Sequence, residues 1–283
     1  MVVSKYRHPV WFFGLSIGIP WLLWVIAASI SHLSPATRLH TILVSILGVV
    51  GLAGPMIVAG VLFLRDPELR SDLVRRFFHG ASKPVYLVVT GLLMPSSILI
   101  AQGISLLFGY SPEQFVVTGN FSFSAGVYPA WFILLLAPVL EELAWHTYGT
   151  DSLRRRLNVL STSLVFAVYW ALWHVPLGFI KGYFQSNLVA EGWLYSFNFA
   201  VSIIPFVLLM NWLYFRTGRN IMVAIVFHIT ANLSNELFAT HPDSKVIQTV
   251  VLLIVSIVVV LKERKLFFDR ELNLELAARR QAA

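Results

Sequence analysis

Residues 127–149 read VYPAWFILLLAPVLEELAWHTYG, an apolar run that carries two adjacent glutamates and a histidine near its end. About 20 apolar residues at 1.5 Å per residue span the ~30 Å of a bilayer's hydrocarbon core. An ionised side chain placed there costs at least ~2.5–3.5 kcal/mol. The run therefore reads as a membrane span, and Glu141, Glu142 and His146 read as residues kept there for a purpose.

Seven further runs of the same kind flank it: Val10–Ile30, Thr41–Leu64, Pro84–Phe108, Val159–Ile180, Leu194–Phe215, Ile221–Ala239 and Val246–Leu261. The last is the shortest. Of the 283 residues, 57% are hydrophobic and only 12% charged, and the mean hydropathy is +0.75. Soluble domains carry about a quarter charged residues, so too few charges remain to cover a water-facing surface. Only helices or closed barrels satisfy the backbone in lipid, and these runs are too long and continuous for barrel strands. The expected fold is an all-α polytopic transmembrane bundle of about eight spans, forming a single domain over residues 1–283. With no cysteine in the chain, disulfides, thiolate metal sites and cysteine nucleophiles are excluded.

The net charge of +7 could suggest nucleic-acid binding. Its distribution argues for membrane orientation instead. Only Arg38, Lys181 and Lys245 fall on one side of the marked spans, leaving 18 of the 21 Lys and Arg residues on the side of the two termini. The positive-inside rule then puts both termini in the cytoplasm, and nucleic acid is not an expected partner. The first run follows Lys5 and Arg7 but exceeds a typical signal-peptide core, so it is read as retained. Residues 262–283 mix charges with Leu and Phe and read as an amphipathic or solvated cytoplasmic tail.

None of the 21 Lys and Arg residues lies inside a marked span. Against that background Glu141, Glu142, His146, His174, His228, Asn232, Asn235 and Glu236 stand out. Glu236 lies near the outer end of its span and reads as interfacial, and Asn235 as packing glue between helices. His228 and Asn232 are four residues apart and share a helical face, and Glu142 and His146 can pair in the same way. Glu141 and Glu142 point in different directions, so they need not do the same job. A hairpin turning near Asn158 puts Glu141 and His174 each about 16 residues, or ~24 Å, from its tip. Glu141, His174, His228 and Asn232 can then share one layer, in the cytoplasmic half or near the middle of the bilayer.

A carboxylate and a neutral imidazole can each accept a proton from water, while a second His and an amide can donate to an oxyanion. The same donor types could hold zinc with an open position, through Glu141, His174 and His228. Residue types and spacing leave both routes open.

At these residues the sequence resembles the CAAX-processing and bacteriocin-processing family of intramembrane proteases. Three ordered motifs carry the resemblance. The family's Glu-Glu-x-x-x-Arg appears as E-E-L-A-W-H, Glu141 to His146. Its aromatic-x-x-x-His appears as W-A-L-W-H, Trp170 to His174. Its His-x-x-x-Asn appears as H-I-T-A-N, His228 to Asn232. The resemblance covers about residues 125–240, which would be the catalytic core. It implies Glu141 as general base, His174 as a residue that orients and activates water, and His228 with Asn232 as the oxyanion site. Glu142 and His146 would support them. It also implies a peptide or lipidated protein substrate, a prokaryotic plasma membrane, and a cavity open toward the cytoplasm with side access from the bilayer. It favours the route without a metal cofactor, zinc being the alternative.

One departure stands out. His146 replaces the motif's arginine, exchanging a permanent forked cation for a ring with fewer donors. A non-catalytic factor of the same fold, with an immunity or scaffold role, is the competing expectation. A proton-coupled transporter ranks behind it, because no inverted repeat or matched pair of broken helices stands out.

Overall fold

Backbone polar groups in hydrocarbon have no water to pair with, so a chain of this composition must close its hydrogen bonds within helices. The computed structural model describes residues 2–78 and 83–269. Among these, extended pairing is confined to one isolated bridge between Val117 and Phe238. The helices in chain order are α1 (Pro9–Ser31), α2 (Arg38–Leu64), α3 (Pro67–Phe78), α4 (Pro84–Ser105), α5 (Ala130–Ala144), α6 (Thr150–Arg154), α7 (Val159–Trp173), α8 (Phe184–Glu191), α9 (Trp193–Arg216), α10 (Ile221–Leu237), α11 (Pro242–Lys262) and α12 (Arg264–Phe268). A π-helical turn, Trp145–Gly149, joins α5 to α6, so the two act as one long segment.

Seven segments are long and apolar enough to cross a membrane by length and composition, and the eighth expected run forms the shorter α10 of 17 residues. The last expected run is not the short one. α11 has 21 residues because Pro242 opens it and the His241 side chain caps it, accepting from Asp243 N at 3.2 Å. Hydropathy alone omits that polar first turn. The fifth run breaks earlier than its apolar composition suggests. Pro176 cannot continue the helical ladder, so α7 ends at Trp173 and Val175–Phe179 forms a 3₁₀ turn. His174 consequently stands at a helix end. At the other end of α7 the expected turn is present, with Asn158 Oδ1 accepting from Ser161 N at 2.8 Å. Of the expected amphipathic tail, residues 270–283 lie outside the described residues.

The helices alternate in direction. α3, the turn between α6 and α7, the turn between α9 and α10, and the end of α11 gather at the end where α1 begins. α5 is central, packed between α2 and α10, while α7 packs on α9, and α4 on α10 and α11. α1 and α2 approach closely because Trp24 lies against Gly51, where a β-carbon would have no room, and donates its indole N–H to Gly48 O at 3.1 Å. Leu22, Val25, Leu92 and Ile254 are among many apolar side chains left on the outside, as a lipid-facing surface requires.

The arginines of this end are not all solvated loop charges. Arg76 and Arg219 are buried with Asp72 and Asp151. Arg76 reaches Asp151 at 2.9 Å and Asp72 at 3.0 Å, and Arg219 reaches Asp72 at 2.9 Å and Asp151 at 2.5 Å. Two cations and two anions thus neutralise one another, and Tyr6 donates to Asp72 at 2.7 Å. Burial alone would raise the Asp72 carboxyl, but Arg219 and Arg76 outweigh it and hold it well below the usual carboxylate range. A carboxyl lowered on folding stabilises fully above its unfolded value, and that contribution is lost as pH falls through the folded one. Arg219 takes φ 67°, a left-handed conformation that a β-carbon disfavours, and its ion pairs hold it there.

The same cluster supports α5. Arg76 donates to the carbonyls of His146 at 2.9 Å and Thr147 at 2.8 Å, and Tyr214 also donates to His146 O at 2.8 Å. A π-helical turn disturbs the regular α ladder and is common at functional sites. Here the turn's carbonyls, directly after the two glutamates, are tied to a buried guanidinium.

Candidate active site

Adjacent helical residues project about 100° apart, and the last turn of α5 uses this to send its two glutamates to different neighbours. Both are buried. Glu141 faces α7 and accepts the Trp170 indole N–H at 2.8 Å, with the Trp145 indole farther off at 3.5 Å. Glu142 turns toward α9 and α10. One of its oxygens pairs with His146 Nδ1, and the other meets His228 Nδ1 at 2.8 Å. The two carboxylates are therefore distinct in environment.

His174 places its Nδ1 2.7 Å from Trp170 O. A carbonyl can only accept, so Nδ1 carries the proton and Nε2 keeps its lone pair. The rings of Trp173 and Phe199 stand edge-on to it at 4.9 and 5.2 Å. His228, one turn before Asn232 on α10, lies between Trp170 and Phe206, each 5.3 Å away. Its Nδ1 is committed to Glu142, which leaves the Nε2 edge free. Trp170 thus holds both halves of the site: its side chain fixes Glu141 and its carbonyl fixes His174.

His146 is wholly buried behind this arrangement. Its Nε2 lies 2.9 Å from Asn211 Oδ1. The Asn211 amide is oriented independently, since its Nδ2 donates to Ser163 Oγ at 2.8 Å and that hydroxyl donates onward to Val159 O at 2.8 Å. Both ring nitrogens of His146 thus lie against oxygen atoms, one of Glu142 and one of Asn211.

Glu141, His174, His228 and Asn232 all line one cavity of about 640 Å³, whereas Glu142 and His146 do not reach it. Four of the six expected site residues thus share the cavity lining, and the other two lie behind it. The cavity is roofed by the loop before α5. Thr118 N donates to Leu237 O at 2.9 Å, Ala239 N to Val116 O at 3.0 Å, and Ser124 N to Gly182 O at 2.8 Å. Glu236 anchors the roof, accepting from Ser122 N at 2.7 Å and Ser122 Oγ at 2.8 Å. It is buried beneath that loop, at the end of α10. Asn235 donates to Glu236 at 3.2 Å, serving the same anchor. Among the described residues no three His, Asp or Glu side chains converge as a metal-ligand set. Glu141, His174 and His228, the zinc candidates, therefore share the cavity without forming one.

The sequence model of the type II CAAX prenyl endopeptidase, Rce1-like family matches residues 122–234. That stretch runs from the roof loop through all three motifs. The chain is also 33% identical over 273 residues to CAAX prenyl protease 2 of Methanococcus maripaludis, covering 95% of this chain and 99% of that protein. The chain belongs to the CAAX prenyl endopeptidase family. It is a multi-pass intramembrane endopeptidase of that family, and the non-catalytic alternative is not favoured.

Residue types alone did not single out two structural contributors, Trp170 and Asn211. Trp170 was visible only as the aromatic position of its motif, and its hydrogen bond to Glu141 is a tertiary fact. Asn211 sits in an apolar run with nothing nearby to mark it. Trp170→Phe keeps a ring in place but removes the closer of the two indole donors to Glu141 among the described residues. Hydrogen bonds to charged groups contribute about 1.5–3 kcal/mol, so peptide hydrolysis is expected to fall roughly 10- to 100-fold in a protein that still purifies folded. Wild-type rates in this variant would show that the indole does not position Glu141.

Proposed function

We propose that the chain hydrolyses a peptide bond of a membrane-associated or prenylated C-a-a-X-type substrate with a water molecule activated by Glu141 and His174. The observation that carries this is the division of the two glutamates: Glu141 faces the cavity beside His174, while Glu142 is spent on two histidines behind it. Water held between the Glu141 carboxylate and the His174 Nε2 lone pair attacks the substrate carbonyl and gives a proton to Glu141. The carbonyl oxygen gains negative charge and takes hydrogen bonds from His228 Nε2 and the Asn232 amide. Glu142, ionised beside His228, supports the protonated imidazole this requires. The intermediate then collapses, the C–N bond breaks, and the proton on Glu141 passes to the departing amine.

Positioned general bases contribute about 10²–10⁴-fold. Glu141→Gln and His174→Ala should each lower hydrolysis of a prenylated peptide by that order while the protein stays folded. Undiminished hydrolysis in both would sink the assignment. Thorough chelation should leave the wild-type rate intact in protein free of stoichiometric zinc. Loss of activity on chelation and its return with zinc would establish a metal route in place of this one.

The side on which substrate meets the cavity follows from two facts. Several cavity-lining segments, among them the roof loop, α8 and the starts of α9 and α11, belong to the end of the bundle opposite the start of α1 and the end of α11. The excess of Lys and Arg, 18 of 21 in the whole chain, accompanies the termini. On this reading the cavity and the charge-rich end lie on opposite sides, so the cytoplasm-facing site expected from the sequence gives way to the charge bias. We take the charge bias as decisive and place the termini in the cytoplasm of a prokaryotic plasma membrane, with the cavity toward the opposite leaflet. The chain has no native cysteine, so single cysteines report cleanly. Asn120→Cys should react with an impermeant maleimide added to intact cells, and Arg156→Cys only after permeabilisation. The reverse pattern would put the cavity in the cytoplasm and the termini outside.

A further inference from the structure

Lys245 is out of place on three counts. It is one of only three Lys or Arg residues on its side of the sequence-marked spans. It lies in the first turn of α11, where the helix dipole disfavours a cation. It is also the one lysine or arginine among the described residues that line the cavity. Its ammonium makes no hydrogen bond or ion pair among the described residues and stands 5.9 Å from the centre of the Phe184 ring. Glu236 and Glu191 are the carboxylates whose field reaches it. Glu236 is already occupied by Ser122 and Asn235, and Glu191 is exposed. This cation, with the Phe184 ring as its near neighbour, faces the space that receives substrate.

We propose that Lys245 is a specificity-determining residue that binds the free α-carboxylate at the C-terminus of the substrate. The proposal rests on the endopeptidase reading above and adds the chemistry by which the cavity would recognise a chain end. A C-a-a-X peptide terminates three residues beyond its lipidated cysteine, and three extended residues reach about 10 Å. Glu141 and Lys245 line the same cavity, and the proposal places the scissile bond at the first and the chain end at the second. The N-terminal turn of α11 adds its own attraction for an anion. An ammonium–carboxylate contact shielded from bulk water is of the charge-assisted kind, and it would reward a true C-terminus over an internal peptide segment.

The test compares a prenylated peptide ending in a free acid with the same peptide ending in a carboxamide. For wild-type protein, kcat/KM should favour the acid by about ten-fold, mainly through KM. Lys245→Met should bring the acid-to-amide ratio close to one, and Lys245→Arg should retain most of it. A wild-type ratio of one would overturn the proposal, as would a ratio that survives in Lys245→Met. A fall in Lys245→Met that is equal for both peptides would also overturn it, because it would indicate a structural role. Binding of the two peptides to the Glu141→Gln protein keeps the question separate from catalysis. If no peptide is cleaved, the endopeptidase reading fails, and the ratio of dissociation constants still decides whether Lys245 reads the carboxylate.

Discussion

Two adjacent carboxylates inside a membrane helix are the constraint on which the rest of this structure depends. An uncompensated charge cannot remain in hydrocarbon, and neighbouring positions on a helix cannot share one partner. The protein resolves this by giving each glutamate its own surroundings. Glu142 receives two imidazoles, from His146 one turn along its own helix and from His228 on α10. Glu141 receives the indole of Trp170 and otherwise faces the cavity. The central position of α5 between α2 and α10, and the breaking of α7 just before His174, bring these partners within reach.

The replacement of the motif arginine is accommodated locally. A histidine reaches less far than an arginine, yet His146 spans Glu142 and Asn211 within the π-helical turn. The carbonyls of that turn are held by Arg76, from a helix outside the motifs, within an ion-pair cluster that also includes Asp72, Asp151 and Arg219. Breaking a buried ion pair typically costs about 3–5 kcal/mol, so this cluster fixes the end of α5 firmly. The backbone beneath the glutamates is thus anchored from the side opposite the cavity.

Much of this was legible in the sequence because lipid is a demanding solvent. Apolar runs of membrane length specify helices, and ionisable residues within them are rare enough to single out candidates, four of which line one cavity. The i, i+4 spacings of Glu142 with His146 and of His228 with Asn232 correctly placed each pair on one face. What the sequence did not disclose depends on tertiary approach. The Trp170 indole, the Asn211 amide and the buried state of Arg76 each require knowing which helix lies alongside. The partners of Glu236 were hidden in the same way, because a roof loop folds over the end of α10 and supplies its donors. The short helix was assigned to the wrong run because hydropathy discounts a polar first turn such as P-D-S-K at Pro242–Lys245.

The account stands on the claim that Glu141 and Glu142 do different work, and comparing the thermal unfolding of Glu141→Gln and Glu142→Gln in the same detergent tests it most directly. Glu142→Gln removes the charge between two histidines and should lower the unfolding midpoint by several degrees, on the order of the 2–4 °C per kcal/mol expected for larger domains. Glu141→Gln, which retains an acceptor for Trp170, should unfold close to wild type. Equal destabilisation of the two variants, or a stable Glu142→Gln protein, would contradict the division of labour on which the mechanism rests.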